Sequence, residues 1–231
     1  MKNLLRRFDL ILSVSRSIPM EMGKEWTYKI VSLDPGVALS QGDLQLINKI
    51  SSKNYIKEEI VVFGGRPVPE KGIIEALLAW KTILKKIGKK YKLIITGSIQ
   101  PTILSKLENL CQKLDIKDNV IFTGFIPKEE RLSIVAKAKM MLYPSHMDSF
   151  PYAVLEALYL NTPVVAYNIP ALKIYYENIE GITLVKESDI ETLIQESIEI
   201  IKAKNINIEK PKFTKSWDEI MKEETTIIKN I

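Results

Sequence analysis

Short apolar runs alternate along this chain with stretches in which apolar residues return every three or four positions. A parallel sheet built from β-α-β units leaves that trace in a sequence. IVVF at 60–63 runs into Gly64 and Gly65, after which Ile73, Leu77, Trp80, Leu84 and Ile87 predict a helix with one buried stripe. LIIT at 93–96 ends at Gly97, and Ile103, Leu107, Leu110 and Leu114 mark the next helix. VIFT at 120–123 leads through Gly124 to Pro127, which a helix start tolerates, with Leu132 and Val135 behind it. MMLY at 140–143, a helix over 152–160 and strands at 163–167 and 182–185 continue the pattern. SDIE at 188–191 reads as a capping box opening a helix through Leu193, Ile194, Ile198 and Ile201, and a last helix starts near Ser216. Upstream, 10–14 and 29–33 also read as strands, with Pro19 interrupting the segment between them. Segment 202–212 has no sustained period and contains Pro211, so it is expected to be a loose connector.

A chain of 231 residues has room for one large or two small domains. No apolar run approaches the ~20 residues that a membrane-spanning helix needs. Asp9 breaks the opening apolar run and no small-residue cleavage site follows, so the expectation is a mature cytoplasmic protein. Cys111 is the only cysteine, which excludes an internal disulfide, and its place beside an apolar stripe points to a core thiol. The net charge of +5 is spread along the chain, which suits a solvated surface better than a stripe for nucleic acid.

Ligands of parallel α/β sheets bind beyond the C-terminal ends of the strands, so the residues just after each strand are where chemistry is expected. GGRPVPEKG at 64–72 places two cations, Arg66 and Lys71, in a glycine-rich turn at the start of a helix. Amides at a helix start favour anions, a guanidinium offers a fork and an ammonium a point charge; together they suit a diphosphate. The same turn could equally be a solvated surface feature, and it matches neither a Walker loop nor a dinucleotide fingerprint. The second place is YPSHMDSFPYAVLE at 143–156, where Asp148 lies in a loop and Glu156 in the helix that follows. Carboxylates there accept hydrogen bonds from sugar hydroxyls, each contributing roughly 1.5–3 kcal/mol, and the amides of Phe150, Tyr152 and Ala153 face a negative group. The alternative is that both acids only complement the helix dipole. A phosphate flanked by two polyols, as in a nucleotide-sugar, is the ligand these residues imply.

With those motifs in place the sequence resembles group 1 glycosyltransferases, retaining GT-B enzymes marked by two acids with seven residues between them. The matching text is GGRPVPEKG at 64–72, DNVIFTGFIPKEE at 118–130, YPSHMDSFPYAVLEAL at 143–158 and TPVVAY at 162–167, in family order. The resemblance implies a Rossmann-like parallel sheet flanked by helices, the C-terminal half of a GT-B enzyme. It implies that Gly65, Arg66 and Lys71 hold the donor diphosphate with the amides of Phe150, Tyr152 and Ala153. Glu156 would then bind the ribose, Asp148 the transferred hexose, and Gly124, Phe125 and Ile126 flank the base. Asp148 stands where the family usually has glutamate, Pro151 where glycine is common, and Asn161 replaces a frequent glycine.

FDLILSVSRSIP resembles the last strand of the family's first domain, followed by an interdomain segment ending in SLDPGV. That gives 1–28 as a remnant of the acceptor domain, 29–210 as the nucleotide-sugar domain and 211–231 as a C-terminal helix. The missing acceptor domain, or a separate subunit supplying it, is the expected partner, with the acceptor a saccharide or lipid-linked glycan. In the complete enzyme peripheral membrane association stays open. Arg66, Lys71 and Asp148 are the expected catalytic groups, with no cofactor or metal: His146 is the only histidine, which rules out a multi-histidine cage. A non-catalytic nucleotide- or sugar-binding module is the rival reading, and an epimerase of related fold is a weaker one.

Overall fold

The computed structural model describes residues 5, 7–26, 28–34, 40–212 and 215–230. Two parallel sheets form. The smaller pairs β1 (Ile11–Ser13) with β2 (Ile30–Ser32), and helix α1 (Ser17–Met22) lies between them in sequence. Pro19 does not break the segment, because it occupies the first turn of α1, where a backbone N–H would have no helical partner. The strand expected over 29–33 forms, but it pairs with β1 and not with the main sheet. The end of the expected interdomain segment, at 35–37, lies outside the described residues.

The larger sheet has six strands: β3 (Ile60–Phe63), β4 (Lys92–Thr96), β5 (Val120–Gly124), β6 (Met140–Tyr143), β7 (Val164–Tyr167) and β8 (Ile182–Val185). Their order is β5-β4-β3-β6-β7-β8, every pair parallel. The chain winds outward from β3 to β5, then returns to lay β6 against the other side of β3 before winding to β8. The winding therefore reverses between β3 and β6, where an open parallel sheet leaves a crevice at its C-terminal edge. All four residues of β6 and of β7 are buried, as strands covered on both faces must be.

The cover comes from α2 (Gln41–Ser51), α3 (Ile73–Ile87), α4 (Pro101–Lys113), α5 (Lys128–Lys137), α6 (Tyr152–Tyr159), α7 (Pro170–Tyr176) and α8 (Ile190–Lys202). Helices α3 and α8 pack together, and α2 packs on α5 and α6. The stripe read on α3 is buried at Ile73, Leu77, Trp80 and Leu84, and the Trp80 indole N–H donates to Asn119 O at 3.0 Å. Cys111 is buried in the same core, where burial first and the Glu108 charge second push its thiol up to about 11, which disfavours the thiolate. Helices α2 and α7 escaped the sequence reading although α2 carries a sound start signal, the Ser40 hydroxyl accepting from Asp43 N at 3.1 Å. The box expected at Ser188 is absent: Asp189 caps α8, accepting from Thr192 N at 3.0 Å, and Ser188 sits at φ 65°.

The last helix, α9 (Trp217–Lys229), opens with a capping box between Ser216 and Glu219. It packs back on the small sheet, where Ile220 and Leu33 bury each other beside Leu12 and Ile227. Asp34 joins that small sheet to the main body: it accepts from the Tyr175 hydroxyl of α7 at 2.5 Å and pairs with Arg16 at 2.6 Å. This buried link ties the two ends of the chain to the loop of interest, since the Ser17 hydroxyl donates to Ser149 O at 3.4 Å.

Candidate functional site

The turn after β3 is shaped by close backbone approach. A Cβ on Gly64 would lie 2.5 Å from the Tyr143 ring, and one on Gly72 would lie 1.9 Å from Pro144 O, so only glycine lets the turn lean on the end of β6. Gly72 also has φ 73° and joins a short 3-10 turn, Pro69–Lys71, to α3. The turn residues 64–72 and the loop after β6 are thereby pressed together at the crevice where the winding reverses.

Lys71 projects from that turn into the loop. Its ammonium donates to Asp148 Oδ2 at 2.6 Å and to Met147 O at 2.7 Å, and both side chains of the ion pair are about 15% exposed. The Tyr143 hydroxyl donates to the same Asp148 oxygen, while Asp148 Oδ1 accepts from Phe150 N at 3.1 Å. Burial first, and then the Asp148 charge, holds the Tyr143 phenol well above its ordinary range, so it stays a proton donor. Lys71 and Asp148 were assigned to different parts of a ligand, and the structure joins them directly.

Beside this pair a cavity of about 500 Å³ opens at the ends of β3, β4 and β5, closed by α5 and α6. Of the residues singled out from sequence, Gly65, Arg66, Phe125, Ile126, Tyr152, Ala153 and Glu156 line it. Arg66 makes no ion pair among the described residues and Phe125 is 81% exposed, so both are open to a ligand. Lys71 and Asp148 do not line the cavity itself. They lie next to it behind Gly65, whose Cβ position is 3.5 Å from the Lys71 side chain.

Two further residues singled out from sequence, Phe150 and Gly124, do not line the cavity. Phe150 is a packing residue and not a wall of the cavity: it is buried with Tyr175 edge-on at 4.8 Å and Tyr152 at 5.2 Å. Its amide donates to the carboxylate of Asp148, two residues upstream, a local bond that aspartate side chains favour in loops, and Tyr152 N donates to Phe150 O at 3.0 Å. Gly124 is also outside the lining; it closes β5 at φ 67°, its carbonyl accepting from Gly97 N at 2.9 Å.

The residue that sequence reasoning missed is Arg131. It stands on α5, one position past the quoted KEE, and forms a two-point ion pair with Glu156: Nη1 to Oε2 at 2.7 Å and Nη2 to Oε1 at 2.8 Å. Both residues line the cavity and Glu156 is 7% exposed. The signal was faint, since a charged residue on a weakly amphipathic helix reads as surface. Lys128 of the same helix, also in the lining, pairs with Asp43 of α2 at 2.5 Å.

His146 is more than a loop residue. Its ring is held from both sides, Nε2 by Glu75 of α3 at 2.9 Å and Nδ1 by Glu187 after β8 at 2.9 Å, and its amide donates to Glu70 O at 3.0 Å. Burial opposes its charge, but the two carboxylates outweigh it and the His146 pKa is raised above 6.5. A raised folded-state value gives stability that is complete below the unfolded pKa and is lost as pH climbs through the folded one. His146→Gln should therefore melt lower than the parent at pH 6, by a few °C for about 1 kcal/mol, and the gap should close by pH 9. Lys57, lowered to about 8 by burial and then by Lys139, has the opposite slope but is common to both proteins. A gap that does not change with pH would remove the charge from this clamp.

Among the described residues no group of three or more His, Cys, Asp or Glu is placed to hold a metal ion, and no helix is long and apolar enough to cross a membrane.

A family model described as glycosyl transferases group 1 matches residues 47–218. An uncharacterized glycosyltransferase of Methanocaldococcus jannaschii is 31% identical over 126 residues, covering 54% of this chain and 31% of the relative. The alpha-monoglucosyldiacylglycerol synthase of Streptococcus pneumoniae is 31% identical over 130 residues, 56% of this chain and 29% of its own length. TarM of S. aureus, solved in complex with UDP, superposes with a TM-score of 0.70 at 15% identity, over 87% of this chain and 39% of that one. The chain thus spans less than two fifths of the length of each of these proteins. The likeness to TarM shows a shared fold, a parallel sheet flanked by helices.

Proposed function

The chain belongs to the group 1 glycosyltransferases, and on that premise we propose that it is the donor-binding part of an enzyme that moves a hexose from a nucleoside-diphosphate sugar to an acceptor with retention. The observation that carries the reading is the cavity beside the reversal of the sheet, with Arg66, which has no ion pair among the described residues, on one wall, the paired Glu156 on another and Lys71–Asp148 alongside. A diphosphate bridging a nucleoside and a sugar has the same order of charges and hydroxyls. In this reading Arg66 and Lys71 neutralise the diphosphate, Asp148 accepts from the sugar, Glu156 accepts from the ribose, and Phe125 with Ile126 covers the base. The UDP bound by the fold neighbour TarM and the lipid glucosylation named for the Streptococcus relative are consistent with it.

The chemistry asked of these groups is electrostatic. As the bond between the anomeric carbon and the diphosphate oxygen breaks, negative charge grows on that oxygen, and two fixed cations beside it stabilise the departing group without reorganising. Residues 1–28 are then the near edge of an acceptor-side domain and residues 29–210 carry the donor, with β1 and β2 pairing across that boundary.

The test is a thermal-shift panel with uridine, guanosine and adenosine diphosphates and their hexose forms. A ligand that binds only the folded chain, supplied at a hundred times its Kd, stabilises it by about 2.7 kcal/mol. One base should stand out, and no shift with any member would end the donor reading. The second reading is a binding module without turnover; hydrolysis or transfer of the selected donor by this chain would exclude it.

A further inference from the structure

Glu156 is a buried carboxylate whose two oxygens each receive one N–H of a single guanidinium, at 2.7 and 2.8 Å. No other cation lies within ion-pair distance of it among the described residues. A carboxylate has about four acceptor positions, and the Arg131 fork takes one on each oxygen. The fork also fixes the plane of the group, because two parallel bonds cannot be kept if the carboxylate rotates. The lone pair left on each oxygen then has a set direction, the two pointing to opposite flanks of the group, so a fixed carboxylate can present one of them to a single hydroxyl in the cavity.

From this geometry we infer that Arg131 is a positioning residue for nucleoside recognition: it locks Glu156 so that the carboxylate accepts from the 2′ hydroxyl of a ribose and discriminates against a 2′-deoxyribose. The inference rests on the donor reading above. Without Arg131, Glu156 would be buried with no counter-charge, and it would rotate toward water or take up a proton. Either change removes an acceptor aimed at the ribose hydroxyl while leaving the Arg66 and Lys71 side of the site intact. The alternative role, a latch that must open before a nucleotide can enter, makes the opposite prediction for affinity.

The experiment measures binding of uridine, guanosine and adenosine diphosphates and their 2′-deoxy counterparts by calorimetry, for the parent chain, Arg131→Lys and Arg131→Met. The parent should prefer the ribose form of its chosen diphosphate by roughly 10- to 100-fold, the loss expected when a buried charged acceptor is left unpaired. Arg131→Met should bring the ribose form down to within about threefold of the deoxy form and leave the deoxy affinity nearly unchanged. Arg131→Lys keeps the charge but not the fork and should fall between them; it also carries the test should the methionine variant fail to fold. An unchanged ribose-to-deoxy ratio in either folded variant, or tighter binding on loss of Arg131, overturns the inference while the donor reading stands. A parent chain that binds none of the diphosphates overturns both.

Discussion

Replacing Lys71 by alanine is expected to lower sugar transfer by about 10²- to 10³-fold in the intact enzyme, while the donor Kd rises much less. Three donors sit on the ammonium, and the structure uses two of them, on Asp148 Oδ2 and Met147 O. The third is available to a diphosphate oxygen beside Gly65. A cation held by two bonds in a site about 15% exposed has little freedom to follow a ground-state ligand, so its contribution should concentrate where charge develops on the leaving oxygen. Steady-state kinetics paired with donor titration separates the two effects. Turnover close to the parent's with normal donor affinity would leave Lys71 as a structural partner of Asp148 and nothing more.

Gly72→Ala should cost more stability than any other single methyl added to the site. The new Cβ would stand 1.9 Å from Pro144 O, and the backbone there has φ 73°, which costs a non-glycine residue on the order of 1–2 kcal/mol before any clash is counted. The contacting atom is a main-chain oxygen at the end of β6, so no side chain can move aside. A loss of roughly 3–5 kcal/mol in urea unfolding is expected, equivalent to a drop in melting temperature of about 10 °C. A loss under 0.5 kcal/mol would mean that the turn and β6 do not touch as described. Gly65→Ala, with 3.5 Å to the nearest atom, should pay only for its positive φ and so serves as the control.

Both results bear on how the site is encoded. The turn was legible because glycine and proline punctuate a chain locally, and the cations at 66 and 71 follow a strand end that the β-branched run announces. The acids at 148 and 156 were legible for the same reason, and Arg66 and Glu156 both line the cavity. What the residues do to one another was not legible. Lys71 and Asp148 are 77 positions apart, and Arg131 and Glu156 are 25 apart on different helices. Phe150, read as part of a ligand-facing amide row, became a core ring because Tyr175 and Tyr176 arrive from α7, a helix with too few apolar repeats to be read in advance.

The sequence by itself determined the six strands of the main sheet, their parallel sense, most of the helices between them, the burial of Cys111 and the edge of the sheet at which the cavity opens. Each of these follows from periodicities and breakers that act over a few residues. Only the tertiary structure decided that β6 returns to the side of β3, that Glu156 is held by Arg131, and that His146 is gripped between Glu75 and Glu187. The reason is physical: hydrophobic pattern says which face of an element is buried but carries no term for its neighbour, and an ion pair or a shared carboxylate exists only once the winding has set two distant elements within three ångströms of each other.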